Sequence, residues 1–77
     1  MIVEAVIAPY SSIEGTTLKK SRFRNVFGAT VLAIRHRGTV MHAKLETTKL
    51  KAGDTLLIEV KETRRIELVK SKDFVLA

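Results

Sequence analysis

The sequence predicts an α+β domain: a small sheet of about four to five strands with two helices. Three observations carry that prediction. The chain has 77 residues, which allows one small domain, so residues 1–77 are read as a single unit. Segments rich in β-branched residues alternate with segments whose apolar residues recur at helical spacing. The order is strand, helix, three strands, helix, strand, which suits an α+β sandwich of a sheet and two helices.

The elements follow in chain order. Ile2 to Ala8 (I-V-E-A-V-I-A) is β-branched with one charge, Glu4, as in a mostly buried strand with one exposed or paired position. Pro9, which lacks the amide a ladder needs, ends it, and Tyr10, Ser11 and Ser12 turn. Gly15 to Ser21 is a connector with a short helical turn that Thr16 or Thr17 caps through its hydroxyl. Ser21 to Gly28 reads as a helix. Phe23, Val26 and Phe27 stand at i, i+3 and i+4 on its buried face. Gly28 closes it in the left-handed conformation.

Thr30 to His36 (T-V-L-A-I-R-H) is apolar on both faces, which places it inside the sheet or under a second chain. Simple alternation puts Val31, Ala33 and Arg35 on one face and Leu32, Ile34 and His36 on the other. Arg37-Gly38 turns the chain into a short strand, Thr39 to Ala43. Leu45 and Leu50 anchor an otherwise polar connection, and Ala52-Gly53-Asp54 turns into the strand Thr55 to Val60. Lys61 to Lys70 reads as a helix with Ile66 and Val69 as its buried stripe. Asp73 to Ala77 is apolar and stops abruptly, which is read as a cut inside a longer protein.

A chain this short buries only about 60% of the surface its unfolded form exposes, so its core needs support. With no cysteine there is no disulfide and no thiolate metal site. The two histidines, His36 and His42, are expected to approach each other across the Arg37-Gly38 hairpin, and they are too few to build a metal site. No run reaches the roughly 18 apolar residues of a membrane span. By elimination, the missing stability is expected from self-association or from a larger parent chain.

The chain carries 14 lysines and arginines against 8 acidic residues, a net charge of +6. That balance points to an anionic partner: nucleic acid, lipid headgroups or a phosphorylated small molecule. Enzymatic motifs are missing: there is no H-E-x-x-H, no P-loop and no Ser-His-Asp context. Glu46, Asp54, Glu59, Glu62 and Glu67 are scattered among lysines and read as a solvated surface. The basic residues are more organised. Arg22 and Arg24 sit on the short helix, and Arg35 and Arg37 end the strand after it, so Arg22, Arg35 and Arg37 are a candidate anion-contacting rim. Phe23 and Phe27 are spaced as core, which leaves no aromatic platform for stacking bases. A small basic nucleic-acid-binding domain is the alternative reading, and it rests on charge alone.

The chain from Val3 to about Val60 resembles the TrkA-C domain, also called RCK-C. Glu4 lies in the first strand, and S-I-E-G-T-T-L (Ser12 to Leu18) matches the family's serine, glycine, threonine and leucine pattern. Phe23-Arg24 and Phe27-Gly28 match an F/L-R-x-x-Y/F-G helix. Val31 to Ile34, then Arg37-Gly38, match a strand and its basic turn. Leu50 to Leu57 (L-K-A-G-D-T-L-L) matches an L-x-x-G-D-x-L-L element. The resemblance implies a non-catalytic, dimeric regulatory domain on the cytoplasmic side of prokaryotic ion and solute transporters, joined to the membrane-embedded part of the same chain. The trailing S-K-D-F-V-L-A is similar to sequence that follows such domains in symporter-like anion permeases. Some members bind cyclic di-AMP across the dimer through the helix arginine and an asparagine two residues beyond the glycine. By that resemblance the ligand contacts are Phe23, Arg24 and Thr30, with Thr30 standing where those members have asparagine. The implied ligand is a cyclic dinucleotide or another anionic nucleotide, and no other cofactor is expected. The bland role for Arg24 is an ion pair with Glu4 or with a carboxylate of a partner chain.

Overall fold

The structure, a computed structural model, describes residues 1–76. Strand β1 (Ile2–Ile7) is followed by two single-turn helices, α1 (Leu18–Ser21) and α2 (Phe23–Phe27). Strands β2 (Ala29–His36) and β3 (Thr39–Met41), a 3₁₀ turn (Leu45–Thr47), strand β4 (Thr55–Val60), helix α3 (Glu62–Lys70) and strand β5 (Phe74–Leu76) complete the order. The five strands form one sheet in the order β3-β2-β4-β1-β5, antiparallel throughout. The predicted α+β class holds, and the five strands fall within the four to five expected. Ala77, the end of the predicted last strand, lies outside the described residues.

The pleat sorts the strands into two faces. On one, Ala5 pairs with Leu56 and Val3 with Ile58, Ala29 with Val60 and Ile34 with Leu56. These residues join Leu18, Phe23, Phe27 and Leu68 from the helices in a single core, with Ile13 and Leu50 from the connections. Phe23, Phe27 and Phe74 form an aromatic cluster, with centroids 4.9, 5.2 and 6.0 Å apart in its three pairs; edge and tilted contacts of this kind fix α2 against β5. The other face carries Glu4, Leu57, Glu59 and Arg35.

Four local expectations are corrected. The register of β2 shifts between Val31 and Ala33, and this bulge at Leu32 reverses the alternation. Val31 and Ile34, expected on opposite faces, therefore share the core side, and Leu32 is exposed. The Ser21–Gly28 helix is interrupted: Arg22 adopts φ 54°, ψ 45°, separating α1 from α2. After that break the face of α2 is set by Phe23 and Phe27, and Val26 points outward. On α3, Ile66 and Val69 are exposed and Leu68 is the buried residue, because α3 packs chiefly on β5 and α2 at the rim of the sheet. Finally, His36 pairs with Thr39 across the hairpin, while His42 lies beyond β3; the ring of His36 meets Asp54 instead.

Candidate functional site

The site begins at a helix that cannot continue. Thr17 caps α1 by accepting the Lys20 N–H at 3.1 Å, and one turn later Arg22 closes it with its N–H on the carbonyls of Leu18 and Lys19. The left-handed conformation at a non-glycine residue stores strain, commonly found where a site needs an unusual chain path. Past Arg22, Phe23 and Phe27 anchor α2 in the core, so Arg24 is held on the outside. Gly28 (φ 61°) ends α2 with its N–H on the Arg24 carbonyl at 2.9 Å, and β2 leaves at once. A side chain at residue 28 would collide with the Arg64 guanidinium, 2.1 Å from where its Cβ would stand. Arg64 itself grips Glu67 with two bonds, at 2.8 and 3.1 Å.

This path encloses a cleft of about 310 Å³ whose walls include Lys19, Arg22, Phe23, Arg24, Thr30 and Glu46. The volume lies at the low end of the roughly 300–1,000 Å³ of small-molecule pockets. Three cations and one carboxylate share the cleft, yet none of the four has an ion-pair partner within 4.0 Å among the described residues. Unpaired guanidinium groups on a partly apolar wall are equipped to fork phosphate or carboxylate oxygens.

Phe23, Arg24 and Thr30, named from the sequence as ligand contacts, line this one cleft, and Arg22 joins them. Arg35 and Arg37 do not. Arg35 pairs with Val40 and Thr55 at the far end of β2 from Thr30, and Arg37 occupies the hairpin turn at φ 48°. Lys19 and Glu46 are the charged residues of the cleft that the sequence does not single out. Lys19 is one turn of helix from Arg22, a relation hidden by the break between α1 and α2. Glu46 is exposed, as expected of a surface carboxylate, and the return of the 3₁₀ turn against α1 and β2 brings it to the wall.

Asp54, expected on the same solvated surface, departs from that expectation. It is buried, its Oδ1 meets His36 Nδ1, and its Oδ2 accepts the Lys51 N–H at 3.0 Å. The pair locks the 51–54 turn to the end of β2. Among the described residues no group of three or more His, Cys, Asp or Glu side chains is placed to hold a metal ion, and no helix is long and apolar enough to cross a membrane.

The fold has known counterparts. An uncharacterized transporter of Synechocystis is 40% identical over 58 residues, covering 75% of this chain and 10% of the relative. Sodium/sulfate cotransporter 2 of Chlamydomonas reinhardtii is 32% identical over 75 residues, 97% of this chain and 8% of the relative. The chain thus spans about a tenth of the length of the curated relatives it matches. Among solved structures, the RCK_C domain dimer of S. agalactiae BusR in complex with c-di-AMP superposes with a TM-score of 0.72 at 20% identity, over 84% of each chain. The same BusR in complex with its promoter DNA matches over 84% of this chain and 33% of that one. Residues 2–71 match the TrkA-C domain, and this chain belongs to the TrkA-C family.

Proposed function

We propose that this chain is a regulatory, ligand-sensing and dimerising domain of a membrane ion or solute transporter, acting on the cytoplasmic side and catalysing no reaction. The observation that carries the reading is the cleft, with Lys19, Arg22 and Arg24 unpaired beside Thr30. The transporter setting is supported by the relatives in which matching segments occur. The ligand class, a cyclic dinucleotide or other anionic nucleotide, is supported by the BusR domain of like fold bound to c-di-AMP.

The mechanism follows from symmetry. A cleft of about 310 Å³ is at the small end for a ligand site, and a two-fold dinucleotide offers one phosphate and one base to each of two chains. Bound between two copies, it stabilises whichever dimer geometry brings the clefts to its own spacing. Only its difference in affinity for the two geometries drives the change passed to the membrane part. The net charge of +6 is the support for nucleic acid as the partner. Phe23 and Phe27 are buried and offer no bases a stacking surface.

Titrating the chain with cyclic dinucleotides while following thermal unfolding tests the reading, since a ligand of the native state raises the melting temperature. Arg24→Ala is expected to weaken binding about tenfold or more, the worth of a charge-assisted hydrogen bond, with the unliganded melting temperature unchanged. A variant that fails to fold would make Arg24 structural. Duplex DNA binding with a steep salt dependence, and no response to nucleotides, would favour the nucleic-acid reading.

A further inference from the structure

The rim of arginines expected from the sequence is divided by the fold. Arg22 joins the cleft, while Arg35 and Arg37 go to the other end of the sheet, where β2 turns into β3. The connections at that end are tied together: Gly53 of the 51–54 turn donates its N–H to the Ile7 carbonyl at 2.8 Å, and Ala8 donates to the Asp73 carbonyl at 2.9 Å. Arg37, Lys51, Tyr10 and Lys72 therefore follow one another across the sheet, from the β2–β3 hairpin to the edge strand β5, and all are exposed. The five strands span roughly 19 Å. None of these cations has an ion-pair partner among the described residues. The nearby carboxylates are engaged elsewhere: Asp54 with His36 and the Lys51 N–H, Asp73 with Ser11 and Ser12, and the exposed Glu14 with the Tyr10 N–H at 3.2 Å. Tyr10 is the anomaly of this end. It is 96% exposed, and its backbone holds φ 63°, a conformation that glycine or asparagine adopts at lower cost. Its loop is not slack, since Ser11 and Ser12 fasten the chain to Asp73 directly after it. Folding stability does not account for a large aromatic that buries nothing and strains its own backbone.

We propose that this end of the sheet is a membrane-surface contact: Tyr10 enters the headgroup layer of an anionic bilayer, and Arg37, Lys51 and Lys72 meet lipid phosphates on either side of it. It rests on the transporter-domain reading above, which puts a bilayer close by, and adds where the domain touches it. A tyrosine joins an apolar ring to a hydroxyl that stays wet, the combination that suits a membrane interface. Each basic residue at an anionic surface is worth roughly fivefold in binding. The contact is therefore weak for a free chain and effective for one already tethered beside the bilayer. Arg35, just inside the end of β2, adds to the same field. Ala29 and Thr30 of the cleft stand at the opposite end, so a domain seated this way keeps its cleft open to solution. Nucleic acid fits less well, because a single aromatic gives one base a surface and a run of bases none.

The test is co-sedimentation of the chain with vesicles of equal parts phosphatidylglycerol and phosphatidylcholine, against vesicles of phosphatidylcholine alone. Binding to the anionic vesicles only is expected, falling as salt screens the charges. Tyr10 is the sole tyrosine and there is no tryptophan, so tyrosine fluorescence reports this one position. Acrylamide is expected to quench it less once vesicles are bound. Tyr10→Gly suits the left-handed backbone, keeps its melting temperature and is expected to bind vesicles more weakly. Lys51→Gln with Lys72→Gln is expected to lose roughly 25-fold in vesicle binding. Lys61→Gln with Arg65→Gln removes the same charge from exposed positions at the opposite end, beyond the reach of the screened field, and is expected to lose much less. Equal losses in the two double variants, or unchanged acrylamide quenching of Tyr10 in the bound chain, overturn the contact. So does the absence of binding to anionic vesicles at low salt. Tighter binding of DNA than of vesicles at the same salt gives the surface to nucleic acid and overturns it too. Each of these failures leaves the nucleotide titration, and the sensing function it tests, standing. A chain that answers no nucleotide and still binds vesicles through Tyr10 keeps this contact and loses the sensing function.

Discussion

Asp73 stands three residues beyond the end of α3 and receives the chain that leaves β1. Its Oδ1 accepts the Ser12 N–H at 2.8 Å and the Ser11 hydroxyl at 3.1 Å, and its Oδ2 accepts the Ser12 hydroxyl at 3.0 Å. Burial pushes the carboxyl up, but the bonds from Ser12, Ser11 and Ser71 outweigh burial and hold it below the usual aspartate range. A folded-state value below the unfolded one means a contribution present above the unfolded pKa and lost as pH falls through the folded pKa. Stability is therefore expected to decline in strongly acidic solution, and Asp73→Ala should flatten that limb while costing about 1–2 kcal/mol at neutral pH. Urea unfolding across pH reads both effects. Asp54→Ala removes the partner of His36 and of the Lys51 amide. His36 is half-buried and Lys51 exposed, so water replaces part of both bonds and a loss of about 1–2 kcal/mol is expected by the same measurement.

At the scale of elements, what the sequence reveals depends on whether a residue type declares its backbone. Ile2 to Ile7 and Thr55 to Val60 alternate cleanly and form the predicted strands. Arg37-Gly38 declares its turn because glycine accepts the positive φ of 82° found there. Leu45 and Leu50 are the expected anchors. The break at Arg22 and the bulge at Leu32 are silent, since neither carries glycine or proline, and tertiary packing imposes both. The cleft was half legible for the same reason: Phe23, Arg24 and Thr30 lie close in sequence, whereas Glu46 arrives through a long-range return. Arg22 exposes the conflict between fold and site. Left-handed backbone costs an L-residue about 1–2 kcal/mol, and glycine escapes that cost while losing more entropy on folding. Arg22→Gly is expected to raise stability by up to about 1 kcal/mol in urea unfolding and to weaken nucleotide binding in the same preparation. Arg22→Val should lower both.

For the whole molecule, the sheet has one face under helices and one bare, and apolar residues are left on both sides. Ile2, Val40 and Val75 are exposed on the bare face, and Val26, Ile66 and Val69 on the helices. The chain exposes 5127 Å², against roughly 4,700 Å² for a folded monomer of its 8.6 kDa mass. The excess has the sign expected of a subunit whose apolar surface is completed by a second copy, and a stable two-fold interface would cover roughly 1,200–2,000 Å² in total. If folding and pairing are linked in this way, mass action makes the melting temperature depend on protein concentration. Tenfold more protein adds about 1.4 kcal/mol to the apparent stability of the pair. At about 2.1 cal/mol/K of unfolding entropy per residue, shared over two chains, that corresponds to a rise of about 4 °C. Scanning calorimetry over a hundredfold range of concentration, with sedimentation at each end, measures it directly. A two-chain mass and a rising midpoint are expected, and a constant midpoint with a single-chain mass would show that the domain folds alone, in which case a ligand held between two chains has to assemble the pair itself.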